Sequence, residues 1–355
     1  MIRKICFFST SFAIHKQVRL GYAEKFLPED VEIFMLTPKS QNKYQAKRTK
    51  IIELNNNKIS FTLALRNFCS KNKVDLIVNL GSPNESFAMM LSTLFSRTNY
   101  IIHFCSNIFD VPYGVNSKLE KFKSFIGRFF LSFPIYFARK VIFTSEDLEE
   151  MGKIKFRNSK SKINFVPLII DEKLFVPQDK IKMKKELGLP LDKPIILYVG
   201  RISYLKGSDI LFELAQQNKD KIFLVIGEIF DEIIGKNPSD NLILAKQQKM
   251  NLLIKYYSAA DLFIFPSRIE AYGLSPREAM LCETPSLVSD ITALGLTEYA
   301  LKSKPEILDM QKQIDIFFSM SQKERNKLRK ISRESVVKTN SFENLKDKWE
   351  SILLD

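Results

Sequence analysis

Short apolar runs alternate with segments of helical period along almost the whole chain. In the first half, Lys4–Ser9, Val31–Leu36, Lys50–Leu54, Val74–Asn79, Tyr100–Phe104, Val141–Thr144 and Ile163–Val166 read as strands. Most are short, apolar on both faces and rich in β-branched or aromatic residues, as in a parallel sheet covered on both sides. Between them, Glu85–Arg97 sets Phe87, Leu91 and Leu94 on one face of a helix. In the second half, Pro194–Gly200, Lys221–Gly227, Asp261–Pro266 and Pro285–Ser289 read as strands. Ser208–Gln217, Met250–Ala260 and Leu274–Cys282 read as helices.

This alternation predicts α/β architecture with two Rossmann-like, doubly wound domains facing a cleft. The break falls near Phe175–Lys180, where Pro177 and charge interrupt the pattern, giving domains of residues 1–176 and 177–339. Three helices close the chain, roughly Pro305–Met320, Gln322–Thr339 and Phe342–Leu354. Ser341 is the candidate N-cap of the last, with Asn344 where a capping-box Glu or Gln would sit.

A length of 355 residues suits two domains, and 45% hydrophobic with 26% charged residues is ordinary globular composition. Cys6, Cys69, Cys105 and Cys282 show no metal-binding spacing, which predicts no metal site and a reduced compartment. Cys6 and Cys105, in apolar runs, read as buried thiols. The opening Met1–Ser9 is too short for a signal-peptide core and reads as a strand. The longest apolar run, Phe129–Ala138, is about half a membrane span and contains Pro134. A soluble or surface-bound cytoplasmic protein is the expectation.

Net charge is +14, unevenly placed. Residues 1–176 carry 27 Lys and Arg against 15 Asp and Glu, or +12, whereas residues 177–355 carry 27 against 25, or +2. Such asymmetry points to an anionic partner: lipid headgroups, nucleic acid or a phosphorylated substrate. A Lys-rich solvated surface is the plain alternative.

Two segments carry candidate chemistry. One strand ends in Gly200-Arg201-Ile-Ser-Tyr-Leu-Lys206-Gly207, offering two cations in a loop. Another leads through Pro266-Ser-Arg-Ile-Glu270-Ala-Tyr-Gly-Leu-Ser-Pro-Arg-Glu278, setting two carboxylates eight residues apart across a strand-to-helix turn. Cations suit a diphosphate and carboxylates accept sugar hydroxyls. The helix start near Gly273 and Leu274 presents unpaired amides to an anion. Glu278 is expected in the first helical turn. Read singly, each piece is equally a capped surface helix or a common loop.

Together these segments resemble glycosyltransferase family 4, the retaining enzymes of GT-B fold. The likeness covers nearly the whole chain and is strongest over residues 194–298. Gly200-Arg201 with Lys206-Gly207 resembles the family's phosphate loop. Asp261–Ser267 with Glu270 and Glu278-Ala-Met resembles its signature, and Gly295-Leu-Thr-Glu298 its later donor-site turn. The resemblance implies that Arg201 and Lys206 neutralise the donor diphosphate, Glu270 holds the transferred sugar and Glu278 accepts from the ribose. It implies that backbone around Tyr272, Gly273 and Leu274 touches phosphate and sugar, with Gly200 and Glu298 also lining the donor. It implies that His103, at the end of an N-domain strand, reaches the donor; alone it reads as a packed structural histidine. His15, in the loop Ser9–Lys16, reads equally as exposed. The final helix, residues 340–355, would pack back on the N-domain. The implied partners are a nucleoside-diphosphate-sugar donor and a saccharide or lipid-linked acceptor, with no metal cofactor.

The sequence departs from the family in places. The first loop has no Gly before Gly21, leaving the acceptor side open. Glu-Gly-Phe-Gly becomes Glu270-Ala-Tyr-Gly, an Asn-Gly becomes Leu168-Ile169 before Asp171, and a Gly after the signature helix becomes Glu283. The charged donor residues all remain.

Lys118–Lys140 is basic and dense in phenylalanine. Phe122, Phe125, Ile126 and Phe129 follow helical spacing between basic residues, as in a helix lying on a membrane. The segment Asn42–Lys50 adds Lys43, Lys47, Arg48 and Lys50. An anionic membrane surface is therefore a candidate partner, on the inner face of the cell membrane; the same phenylalanines would equally serve as core. The preferred reading is a retaining hexosyltransferase in cell-envelope polysaccharide or glycolipid synthesis. The alternatives are a related nucleotide-sugar epimerase or sugar-phosphate synthase, and a non-catalytic basic membrane- or nucleic-acid-binding protein. No zinc pattern or recognition-helix motif points to nucleic acid.

Overall fold

The computed structural model describes residues 2–11, 14–38, 45–54, 58–81, 83, 85–109, 117–230, 239–291 and 299–355. These form two compact units. The first contains residues 2–109, 117–169 and 342–355 and the second residues 170–341, within the described ranges.

Among the described residues the first unit holds a seven-stranded sheet, built from β1 (Lys4–Phe8), β2 (Glu32–Pro38), β3 (Lys50–Leu54), β4 (Leu76–Asn79), β5 (Asn99–Phe104), β6 (Lys140–Phe143) and β7 (Ile163–Phe165). The order is β3-β2-β1-β4-β5-β6-β7 and every pairing is parallel. Ile5 faces Ile33 on one side and Leu76 on the other. Helices α1 (Ile14–Phe26), α2 (Lys58–Asn72), α3 (Glu85–Thr93), α4 (Lys118–Phe137) and α5 (Glu146–Lys155) connect the strands. The loop after β1 is thus shorter than expected, because α1 takes in residue 15.

The second unit holds α6 (Lys180–Glu186), β8 (Ile195–Val199), α7 (Ser208–Gln217), β9 (Ile222–Ile226), β10 (Leu242–Ala245), α8 (Met250–Ala259), β11 (Leu262–Phe265), α9 (Leu274–Leu281), β12 (Ser286–Ser289), β13 (Leu301–Ser303), α10 (Ile307–Ser319) and α11 (Gln322–Asn340). Its parallel sheet runs β10-β9-β8-β11-β12-β13. β8, β9 and β11 are buried along their whole length, which is why they read as unbroken apolar runs. β10 and β13 carry no such signal: β10 exposes Ile243 and Leu244, and β13 is three residues long.

The last helix, α12 (Phe342–Leu354), belongs to the first unit. Its Leu345, Trp349, Ile352 and Leu353 join the core with Ile5 and Phe7. Trp349 donates from Nε1 to the Pro167 carbonyl at 3.0 Å and stacks against Phe26 at 6.5 Å.

Three local readings change. Helix α3 buries Glu85, Ser86, Met89 and Ser92, while Leu91 and Leu94 are exposed. Its polar first turn is tied into the sheet edge through Glu85, and this outweighs the apolar stripe. A capping box opens α11, where Ser321 and Glu324 bond reciprocally; Ser341, directly before α12, is also the C-cap of α11. Cys105 is only half-buried and accepts from Arg19 Nη1 at 2.8 Å, whereas Cys6 is buried as expected.

Glu283 stands at φ 58°, the left-handed region that favours glycine. Replacing Glu283 by Gly is expected to stabilise the protein by up to about 1 kcal/mol, since the relieved strain exceeds the added unfolded-state freedom. Urea unfolding followed by circular dichroism checks this. The same measurement on Trp349→Ala should show a loss of roughly 3–5 kcal/mol, as a large core side chain and its hydrogen bond are removed together.

Candidate active site

Open α/β sheets bind ligands beyond the carboxyl ends of their strands, where the winding reverses. In the second unit that point lies between β8 and β11. Both candidate segments start there, 200–207 after β8 and 266–273 after β11.

The two loops are fastened to each other. The Arg268 amide donates to the Leu205 carbonyl at 2.9 Å. Its guanidinium forks onto both Asp209 oxygens at 2.7 Å and lies over the Tyr204 ring at 3.9 Å. Gly207 has φ 74°, and a Cβ there would sit 2.1 Å from the Pro266 carbonyl oxygen. Lys206 then reaches Glu270: Nζ lies 2.6 Å from Oε2 and donates to the Ile269 carbonyl at 2.9 Å. The pair is neither sealed nor open, with side chains 13% and 18% exposed. Two residues expected to meet a ligand separately are here in contact with each other.

Arg201 differs. It is exposed, lies 5.6 Å from the Phe230 ring and makes no ion pair among the described residues. Its carbonyl accepts from the Tyr198 hydroxyl at 2.6 Å, which holds the turn after Gly200. Burial pushes that phenol well above its usual range.

Glu278 falls in the second turn of α9, one position later than the sequence implied. Burial pushes its carboxyl up to about 7, while the Tyr257 hydroxyl, 2.7 Å from Oε2, acts in the opposite direction. Gly273 is the N-cap of α9 and no side chain caps that terminus, which leaves Leu274 and Ser275 at an open helix start. Tyr272 is buried by comparison. Its ring lies 3.8 Å from the guanidinium carbon of the buried Arg277, and its hydroxyl accepts from Asn340. Its backbone, rather than its ring, borders the helix start. Glu298 and the turn 295–298 lie outside the described residues.

In the first unit the corresponding point lies between β1 and β4. Glu85, fully buried, accepts on Oε1 from the Ser9 hydroxyl at 2.9 Å and the Thr10 amide at 2.7 Å. Lys16 Nζ lies 3.6 Å from the same oxygen, and burial holds its ammonium below its usual range despite that carboxylate. His103, at the end of β5, is 3% exposed. Its ring meets the Trp349 edge at 5.0 Å, and Nε2 lies 3.3 Å from Cys105 Sγ. Burial, then Arg19, holds the imidazole well below its usual range, so it is neutral. It lines an apolar cavity of about 40 Å³ with Phe7, Tyr22 and Trp349.

Sequence reading missed Tyr257, Asp209, Arg277 and the Lys16–Glu85 pair. Arg277 stands inside the signature and Arg268 inside the loop, but their partners lie up to 64 positions away in sequence or are backbone carbonyls. No local pattern announces them.

Residues 179–335 match the family model described as glycosyl transferases group 1. A D-inositol 3-phosphate glycosyltransferase of Segniliparus rotundus is 34% identical over 149 residues, 38% of this chain and 33% of that protein. One of Mycolicibacterium smegmatis is 28% identical over 168 residues, 43% of this chain and 38% of that protein. The chain thus matches only about a third to two fifths of these relatives' length. Among solved structures, sucrose-phosphate synthase from Thermosynechococcus elongatus aligns with TM-score 0.83 at 20% identity, covering 99% of this chain and 98% of that one. Anabaena HepE in complex with UDP-glucose aligns with TM-score 0.80 at 14% identity, covering 99% of each. The chain therefore has the GT-B fold, and its residues 179–335 match the family model of the glycosyl transferases group 1.

Proposed function

We propose that this protein is a retaining, metal-independent hexosyltransferase using a nucleoside-diphosphate sugar. The observation that carries the reading is the gathering of Arg201, the Lys206–Glu270 pair and the open start of α9 at the winding reversal of the second sheet. Arg201 and Lys206 supply fixed positive charge for the diphosphate, and the amides at Leu274 and Ser275 add helix-terminus donors. Glu270 accepts from hydroxyls of the transferred sugar, and Glu278 from the ribose.

In the reaction the bond from the anomeric carbon to the diphosphate oxygen breaks and a bond to an acceptor hydroxyl forms on the same face. The hydroxyl proton passes to the departing phosphate, and the cations stabilise the charge that develops there. His103, which the resemblance assigns to the donor, is 3% exposed and packed against Trp349, so we give it a packing role within the first unit. The acceptor we propose is a saccharide or lipid-linked saccharide, in envelope polysaccharide or glycolipid synthesis on the cytoplasmic side. The names of the matched relatives and of the sucrose-phosphate synthase favour one second reading, transfer to a sugar phosphate. A product assay with a sugar-phosphate acceptor separates the two.

Saturation-transfer NMR against UDP-, GDP-, ADP- and dTDP-sugars, with chelator present, should show selective binding that Glu278→Ala weakens roughly 10–100-fold. Arg201→Ala should lower kcat by roughly 10²–10³-fold and leave folding intact, as an exposed charge acting on the leaving group would. A product of inverted anomeric configuration, read from its NMR coupling, would overturn the retaining assignment.

Glu278 also makes donor binding depend on pH. Its free carboxyl titrates at about 7, and ribose hydroxyls donating to the carboxylate favour the ionised form. The complex then holds fewer protons than the free protein, so binding tightens as pH rises to about 7 and levels off above it. Calorimetric titration across that range should show this rise in the native protein and a flat profile in Glu278→Gln.

A further inference from the structure

Helix α4 turns its apolar side outward. Its six phenylalanines, Phe122, Phe125, Phe129, Phe130, Phe133 and Phe137, are each 48–61% exposed. At 100° per residue they fall within an arc of roughly 140°. Pro134 and Ile135, on the other side, are buried, and the Pro134 carbonyl accepts from the Tyr100 hydroxyl at 2.6 Å. The helix is thus anchored to its unit by one face and presents the aromatic face to the surroundings. At roughly 150–250 Å² per aromatic side chain, about half exposed, the stripe leaves more than about 500 Å² of apolar surface open. That reaches the upper range of the largest apolar patch on a typical monomer. Leu91 of the neighbouring α3, and Leu94 and Phe95 in the turn after it, are exposed as well, Phe95 fully.

Charge says what covers this face. Lys121 and Lys123 are exposed, and their positions on the helix fall just outside the two borders of the aromatic arc. Beside the helix's C-terminal end a groove of about 550 Å³ has Phe133, Tyr136 and Phe137 on one wall and Lys155 and Arg157 on another. Aromatic rings bordered by cations match the boundary between acyl chains and anionic headgroups. A second copy of the chain fits less well, because α4 carries four basic residues and one acid and would meet its own sign. No described helix is long and apolar enough to cross a membrane.

We propose that α4 docks the protein on an anionic lipid bilayer, its phenylalanines entering the acyl boundary and Lys121, Lys123, Lys155 and Arg157 meeting lipid phosphates. The inference does not depend on the glycosyltransferase reading. Arg48 takes no part, because its guanidinium is occupied by the Glu24, Leu27 and Pro28 carbonyls.

Flotation of the full chain with phosphatidylcholine vesicles, with and without phosphatidylglycerol, tests this. The protein is expected to float with the anionic vesicles alone. Phe125→Ser/Phe129→Ser/Phe133→Ser and Lys121→Glu/Lys123→Glu should each weaken binding roughly tenfold or more. These sites are exposed, so both variants should keep the native unfolding midpoint. A Phe129→Trp reporter, against the buried native Trp349, should shift its emission to the blue on anionic vesicles only. Binding to both vesicle types alike or to neither, or binding indifferent to the serine changes, overturns the proposal. So does a dimer seen by light scattering that the serine variant dissolves while vesicle binding stays absent.

Discussion

The candidate site of the second unit depends on a backbone contact, the approach of Gly207 to Pro266. Any side chain at 207 would collide with the Pro266 carbonyl, so the loops after β8 and β11 touch only because that position carries no Cβ. Lys206 immediately precedes the contact, and Glu270 lies four residues beyond Pro266. Closing the loops therefore delivers Nζ to Oε2. The Arg268–Asp209 fork adds a tie from the second loop to the first turn of α7, which directly follows the first loop. An ammonium held by a carboxylate and a carbonyl needs little reorganisation to meet a phosphate, which is what electrostatic preorganisation requires.

The two glutamates of the signature are set apart by surroundings rather than chemistry. Glu270 has a cation at hydrogen-bonding distance. Glu278 is half-buried against α8 with the Tyr257 phenol as its hydrogen-bond partner, and desolvation pushes its carboxyl up to about 7. The same side chain is thus half of an ion pair in one place and, in the other, a carboxyl held by a phenol with desolvation as the main influence on it.

Strands such as β1, β8, β9 and β11 were legible in the sequence because burial on both faces leaves continuous apolar runs. The loops at 200–207 and 266–273 were legible because glycine, cations and carboxylates follow those runs directly. What escaped depends on distant partners. Asp209 gives no sign that it will meet Arg268, nor Tyr257 that it will meet Glu278. Helix α3 was misread for a related reason: its amphipathic stripe was visible, but Ser9 and Thr10, some 75 positions away, draw Glu85 inward and leave Leu91 and Leu94 outside. In α4 the spacing of phenylalanines was plain, and only the structure says that the stripe faces out.

The two sheets are wound alike, and each places a Lys–Glu pair where its winding reverses. Their environments differ in one decisive respect. Lys16 and Glu85 are 8% and 0% exposed, and Glu85 is further bound by a hydroxyl and an amide. Parting them would strand a charge in the interior, at a cost of several kcal/mol. Lys206 and Glu270 keep partial access to water, so a polyanionic ligand can replace one partner without leaving the other buried and unpaired. The first pair is therefore a structural brace for β1 and α3, while the second, in the proposed donor site, is free to exchange partners. Equivalent topology thus yields a fixed element in one unit and a responsive one in the other, and solvent access to the ion pair makes the distinction.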